Sequence, residues 1–153
     1  MSQIEERLGL MGLGLPPVAA PVAAYVPAIV SGSTVQTSGQ LPFVEGALPM
    51  TGKCGDGLGA DQAAELAAIA ALNGLAALKQ KVGDLDRITQ IVKLTVFVAS
   101  DPSFTEQPKV ANGASELLGE VFGDRGVHAR SAVGVSVLPL DSPVELEITA
   151  TFE

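Results

Sequence analysis

The segment ADQAAELAAIAALNGLAALKQKVGD, residues 60–84, constrains the possible folds of this chain more than any other. Alanine and leucine dominate it, which predicts a long helix. Asp61 and Glu65 suit the positive N-terminal end of that helix, and Lys79 and Lys81 suit its negative end. Gly83 supplies the stop. A helix this long must pack on something, and the other periodic segments say what. Residues 25–38 read as two short strands around the turn SGST, and Pro42 ends the pairing capacity of the second. RITQIVKLTVFVAS, residues 87–100, reads as a strand with Val92, Leu94, Val96 and Val98 on one face. Its other face, Thr89, Ile91, Lys93, Thr95 and Phe97, is mixed, as befits a strand covered there by something less apolar than a core, such as another subunit.

TEQPKVANGASELLGEVFG, residues 105–123, predicts a second helix. Val110, Ala114, Leu117, Leu118 and Val121 form one amphipathic stripe, Pro108 is tolerable in the first turn, and Gly123 marks the end. The last segment, VHARSAVGVSVLPLDSPVELEITATFE, reads as a terminal hairpin turning at LPLDSP. The element order is therefore β-β-α-β-α-β-β. It predicts an α+β two-layer domain, a mixed sheet with two helices on a single face. The opposite sheet face has no helix left to cover it, so self-association is the expected remedy.

A length of 153 residues is most economically one domain spanning 1–153, with residues 1–20 as a helical or extended N-terminal arm and 43–60 as a Gly- and Pro-rich loop. With five Phe, one Tyr and no Trp, the core must be built from Ala, Val, Leu and Ile. The net charge is −8 and no run of basic residues occurs, which disfavours an extended phosphate partner such as nucleic acid. The single cysteine, Cys54, precludes an internal disulfide, fits a reducing compartment, and reads as an inert loop thiol. The apolar stretch PPVAAPVAAYVPAIV follows two glutamates and one arginine instead of a basic leader, and its prolines break any helix. A soluble, cytoplasmic chain with no membrane partner is the expectation.

His128 is the only histidine, so a multi-histidine metal site cannot form, and CxxC, HExxH and Walker-type patterns are absent. His128 itself reads as a surface or interface residue at a strand entrance. Arg130 shares strand parity with Ala132, Gly134 and Ser136, a face of small residues that leaves room beside it. A guanidinium offers a planar fork that matches a carboxylate, so Arg130 suits either an anchor for a small carboxylic acid or a salt bridge to Glu145, Glu147 or Asp141. Glu145 shares parity with Glu147, Thr149 and Thr151, where a shielded carboxylate can activate water and an exposed one does nothing. Ser38 and Gly39 offer a hydroxyl and a close backbone approach, or merely a strand end. Tyr25 suits a site wall or a core aromatic.

Together, Tyr25, the SGQ-P pattern at 38–42, KVGDLDRITQIVKLTVFVAS and ARSAVGVSVLPLDSPVELE resemble the Rid/YjgF family, the reactive intermediate (enamine/imine) deaminases, from about Tyr25 onward. The resemblance implies a chorismate-mutase-like α+β fold assembled as a homotrimer with clefts between subunits. It implies that Arg130 binds the substrate carboxylate, that Tyr25, Ser38 and Gly39 line the pocket, and that Glu145 handles water. The implied activity is hydrolysis of 2-enamine or 2-imine acids, such as 2-aminoacrylate, to 2-keto acids and ammonia, with no cofactor or metal. Ala132 stands where many members carry a cysteine two residues after the arginine, which bears on substrate preference. Two other functions remain open: non-catalytic binding of a small carboxylate, and the endoribonuclease activity named for some members, against which the charge weighs.

Overall fold

The structure is a computed structural model that describes residues 2–18, 20–21 and 23–153. Helix α1 (Gln3–Leu10) comes first, followed by strands β1 (Ala28–Ser31) and β2 (Thr34–Thr37). Two-residue strands β3 (Lys53–Cys54) and β4 (Gly57–Leu58) precede α2 (Ala60–Val82). Then come β5 (Ile88–Ala99), α3 (Gln107–Phe122), β6 (Ala129–Val135) and β7 (Val144–Phe152). The main sheet is mixed and five-stranded, in the order β1-β2-β7-β5-β6, and β3 and β4 pair separately. Helices α2 and α3 pack on each other and on one sheet face, so the α+β two-layer expectation holds.

That covered face is dry. Leu94, Val96 and Val98 of β5 and Val144, Leu146, Ile148 and Ala150 of β7 are fully buried against Ala67, Ala71, Leu75 and Leu78 of α2 and Ala114 and Leu118 of α3. Small residues set the interlayer distance. A Cβ on Gly113 would overlap the Ala64 carbonyl oxygen across the helix pair, and one on Gly74 would lie 2.8 Å from Ile148 Cδ1. Helix α1 is anchored rather than loose: Ile4 and Leu8 join the core, and the Asp86 carboxylate accepts the backbone N–H groups of Gln3 and Ile4.

Three local expectations change. The segment after β6 does not form a hairpin with β7, because β5 lies between them, parallel to β6 and antiparallel to β7. Residues 136–143 carry the chain over the end of β5, a crossing of two strand spacings, about 10 Å, that no two-residue turn could span. Within β5, Ile91 rather than Val92 faces the core. The β5–β7 register slips between Ile88 and Gln90 and again between Ile91 and Lys93, so each slip inserts one unpaired residue and inverts the alternation. Val92 is thereby 40% exposed while Ile91 is fully buried. Finally, residues 43–60 are not all loop, since they contain the β3–β4 pair.

Candidate active site

Arg130 enters the sheet opposite Leu94, and Leu94 faces the helices, so the arginine side chain lies on the helix side of the edge strand β6. None of the carboxylates foreseen as partners reaches it. Its Nη1 donates to Asn112 Oδ1 at 2.7 Å and to Ser115 Oγ at 3.2 Å, both on α3. Its immediate environment is thus polar and uncharged. Among the described residues the ion pairs are Lys79–Glu5 and Lys109–Asp61, so Arg130 remains unneutralised in a chain of net charge −8. Half-buried, it keeps its charge beside neutral hydrogen-bond acceptors, the state in which a guanidinium can take up an external carboxylate.

Glu145 lies opposite Phe97, on the sheet face that no helix covers. The two residues singled out by their chemistry therefore stand on opposite faces of one sheet. Glu145 makes no side-chain hydrogen bond to the described residues, and burial pushes its carboxyl above the usual range, with the like charge of Glu147 adding to the shift. Its carboxylate presses against Gly39, where any Cβ would overlap Oε1. Gly39 thus makes room for a protein carboxylate, in place of a ligand, and a side chain there would have to turn Glu145 aside.

A cavity of about 360 Å³ opens at this point, walled by Tyr25, Gly39, Leu41, Phe43, Leu140 and Glu145 among others. Neighbouring elements hold its walls. Buried Asn73 of α2 donates both amide hydrogens, to the carbonyls of Leu41 and Phe43, fixing the segment after Gly39. Leu140 adopts a left-handed conformation, with φ of 59°, that a leucine rarely takes. Ser38 sits outside this cavity: its hydroxyl donates to the Val26 carbonyl at 2.5 Å, and its surroundings are a shallower depression shared with Tyr25. The protomer therefore brings together Tyr25, Gly39 and Glu145, sets Ser38 beside them, and leaves Arg130 apart.

Asn112 and Ser115 bond Arg130, Ser115 in turn meets His128, and Asn73 holds the cavity wall, although sequence singled out none of them for these positions. His128 comes closest to its expected place at the entrance of β6, but it bonds Ser115 Oγ at 2.9 Å instead of lying free on the surface. Cys54 is buried, and burial pushes its thiol up, in keeping with an unreactive role. No three His, Cys, Asp or Glu side chains among the described residues converge as metal ligands would. No helix among them is long and apolar enough to cross a membrane.

Relatives share this architecture. The family model described as "YjgF/chorismate_mutase-like, putative endoribonuclease" matches residues 5–151. The chain is 44% identical over 146 residues to Protein TCP17 of Trypanosoma cruzi, covering 95% of this chain and 91% of that protein. The crystal structure of Atu1372 from Agrobacterium tumefaciens, a protein of unknown function, is 41% identical with a TM-score of 0.93, covering 99% of this chain and 93% of the other. That of Escherichia coli TdcF with bound serine is 26% identical with a TM-score of 0.61, covering 91% and 94%. The fold, the extent of the match and these identities make the chain a member of the YjgF/chorismate-mutase-like family.

Proposed function

We propose that the protein hydrolyses small 2-imino acids, with their 2-enamine tautomers, to 2-keto acids and ammonia in clefts between subunits of a homotrimer. The observation that carries this reading is Arg130, a cation held by neutral partners and in no ion pair with the described residues of a strongly acidic chain. Such a group serves a ligand carboxylate better than it serves the fold. The bound serine of TdcF, a small molecule with a carboxylate in a relative of the same fold, agrees with a ligand of this size and charge.

Bound through its carboxylate at Arg130, the imino acid presents a C=N carbon to water. Glu145, with its proton affinity raised by burial, is suited to take a proton from that water as it adds to the carbon. That proton passes to the nitrogen to give a carbinolamine; the carboxylate then takes the carbinolamine hydroxyl proton and delivers it to the nitrogen as the C–N bond breaks and C=O forms, giving the keto acid and ammonia. The uncatalysed reaction proceeds in water, so positioning and one proton shuttle suffice. Because Arg130 and Glu145 occupy opposite faces of one sheet, both can serve one substrate only if different subunits supply them. The unpaired edge of β6 and the open sheet face, with half-covered Phe97 and Val133 at 43% exposure, are surfaces suited to that assembly.

RNA cleavage is the weaker alternative, since nine basic residues face seventeen acidic ones and two of the nine are already in ion pairs. The test is release of pyruvate and ammonia from 2-aminoacrylate generated in situ, with wild type, Arg130→Ala and Glu145→Gln. Acceleration by wild type that both substitutions abolish supports the hydrolase. Retained pyruvate binding without acceleration would leave a carboxylate-binding protein instead.

A further inference from the structure

The bonds to Arg130 continue beyond α3. Ser115 Oγ, which accepts from Arg130 Nη1, lies 2.9 Å from His128 Nε2, and His128 Nδ1 lies 2.6 Å from the Gly126 carbonyl oxygen. A carbonyl oxygen only accepts, so Nδ1 carries the ring proton and Nε2 of the neutral imidazole is an acceptor. The Ser115 hydroxyl therefore directs its hydrogen to His128 and turns its lone pairs to the guanidinium. With Asn112 Oδ1 on the other hydrogen, both N–H groups of Nη1 are committed, while Nε and Nη2 bond no described residue. Those two form the side edge of the fork, a complete bidentate face for a carboxylate. The far end of the relay is rigid. Gly126 is buried so tightly against the Leu118 carbonyl that a Cβ there would overlap it.

We propose that His128 is a positioning residue for Arg130, acting through Ser115 to hold the guanidinium with its Nε–Nη2 edge free for the ligand. The proposal rests on Arg130 being the carboxylate anchor. Fixing a long, flexible side chain before the ligand arrives removes part of the ordering cost from the binding step. Removing either relay member should therefore weaken carboxylate binding although neither contacts the carboxylate.

Titration calorimetry of the full chain with pyruvate tests this. Ser115→Ala and His128→Leu should each weaken binding by about tenfold, the scale of one hydrogen bond to a charged group. His128→Gln, whose side-chain oxygen can still accept from Ser115, should recover most of the loss. The double variant His128→Leu with Ser115→Ala should bind no more weakly than Ser115→Ala, because the imidazole acts only through the hydroxyl. Wild-type affinity in Ser115→Ala, or additive losses in the double variant, overturns the proposal. If Ser115→Ala does not fold, equal affinities for His128→Gln and His128→Leu overturn it. Arg130→Ala separates the two levels. Binding as tight as wild type there refutes the carboxylate anchor itself, whereas lost binding there with unchanged Ser115→Ala and His128→Leu refutes the relay alone.

Discussion

At the scale of single residues, Glu145 carries the most information, because its environment makes predictions of opposite kinds for folding and for catalysis. Burial and Glu147 favour its protonated form, so its folded pKa is raised. A carboxyl of that kind favours the native state most below the ordinary glutamate range, and this contribution is lost as pH rises through the raised value. Glu145→Gln removes that loss. Denaturant titrations from about pH 4 upward should show the variant gaining stability relative to wild type as pH increases. The rate should move the other way, since a general base works only when deprotonated. The acid limb of kcat/KM should lie above the usual glutamate range in wild type and be missing from Glu145→Gln. Gly39 gives a second prediction. An alanine there must displace the Glu145 carboxylate, which can turn aside, so Gly39→Ala should change stability by less than about 1 kcal/mol in denaturant titrations while depressing activity by moving the proposed base. Residue identities such as Arg130, Gly39 and Glu145 stood out in the sequence by chemical type and by family resemblance. Asn73, Asn112 and Ser115 did not, because a polar residue within a helical pattern looks the same whether it meets water or a functional arginine.

Among the elements, β5 separates what periodicity can reveal from what it cannot. The long Ala/Leu pattern of α2 and the stripe on α3 survive intact, since helical spacing depends only on the chain itself. The alternation in β5 is legible from Leu94 onward and fails before it, because the bulges slide the parity by one residue at Thr89 and again at Val92. Substitutions can check this directly. Ile91→Ala should cost about 2–5 kcal/mol in denaturant titrations, the cost of a core truncation. Val92→Ala should stay within about 0.5 kcal/mol of wild type. If β5 alternated without bulges, the order of the two would reverse. The misread terminal hairpin has a related cause: insertion of β5 between β6 and β7 is a long-range event, while a strand, a turn and a strand look alike locally whatever lies between them. Helix pairing is equally non-local. Gly113 is where α3 touches the Ala64 carbonyl of α2, a contact that helical spacing within α3 does not encode.

For the whole molecule, the division of the proposed site between two sheet faces is the decisive feature. One protomer supplies Arg130 on the helix side of β6 and Glu145 with Tyr25 and Gly39 on the other side, so no protomer alone can apply both to one substrate. In the proposed assembly, a neighbouring subunit closes the uncovered sheet face and the unpaired edge of β6 and so completes the cleft. The two-layer architecture was legible from element order, and the exposed face from the absence of a third helix. The separation of Arg130 from Glu145 was not, because parity along each strand says nothing about the relative facing of β6 and β7 until their common neighbour is known. The most direct measurement is complementation between two inactive variants, Arg130→Ala and Glu145→Gln, dissociated and reassembled together at equal concentration. In a closed ring with one arginine and one glutamate drawn from different subunits at each site, about a quarter of the sites regain both groups. Recovery of about that fraction of wild-type 2-keto acid release is expected in the mixture and none in either variant alone. A mixture that remains as inactive as its components, after exchange of subunits has been verified, would contradict it.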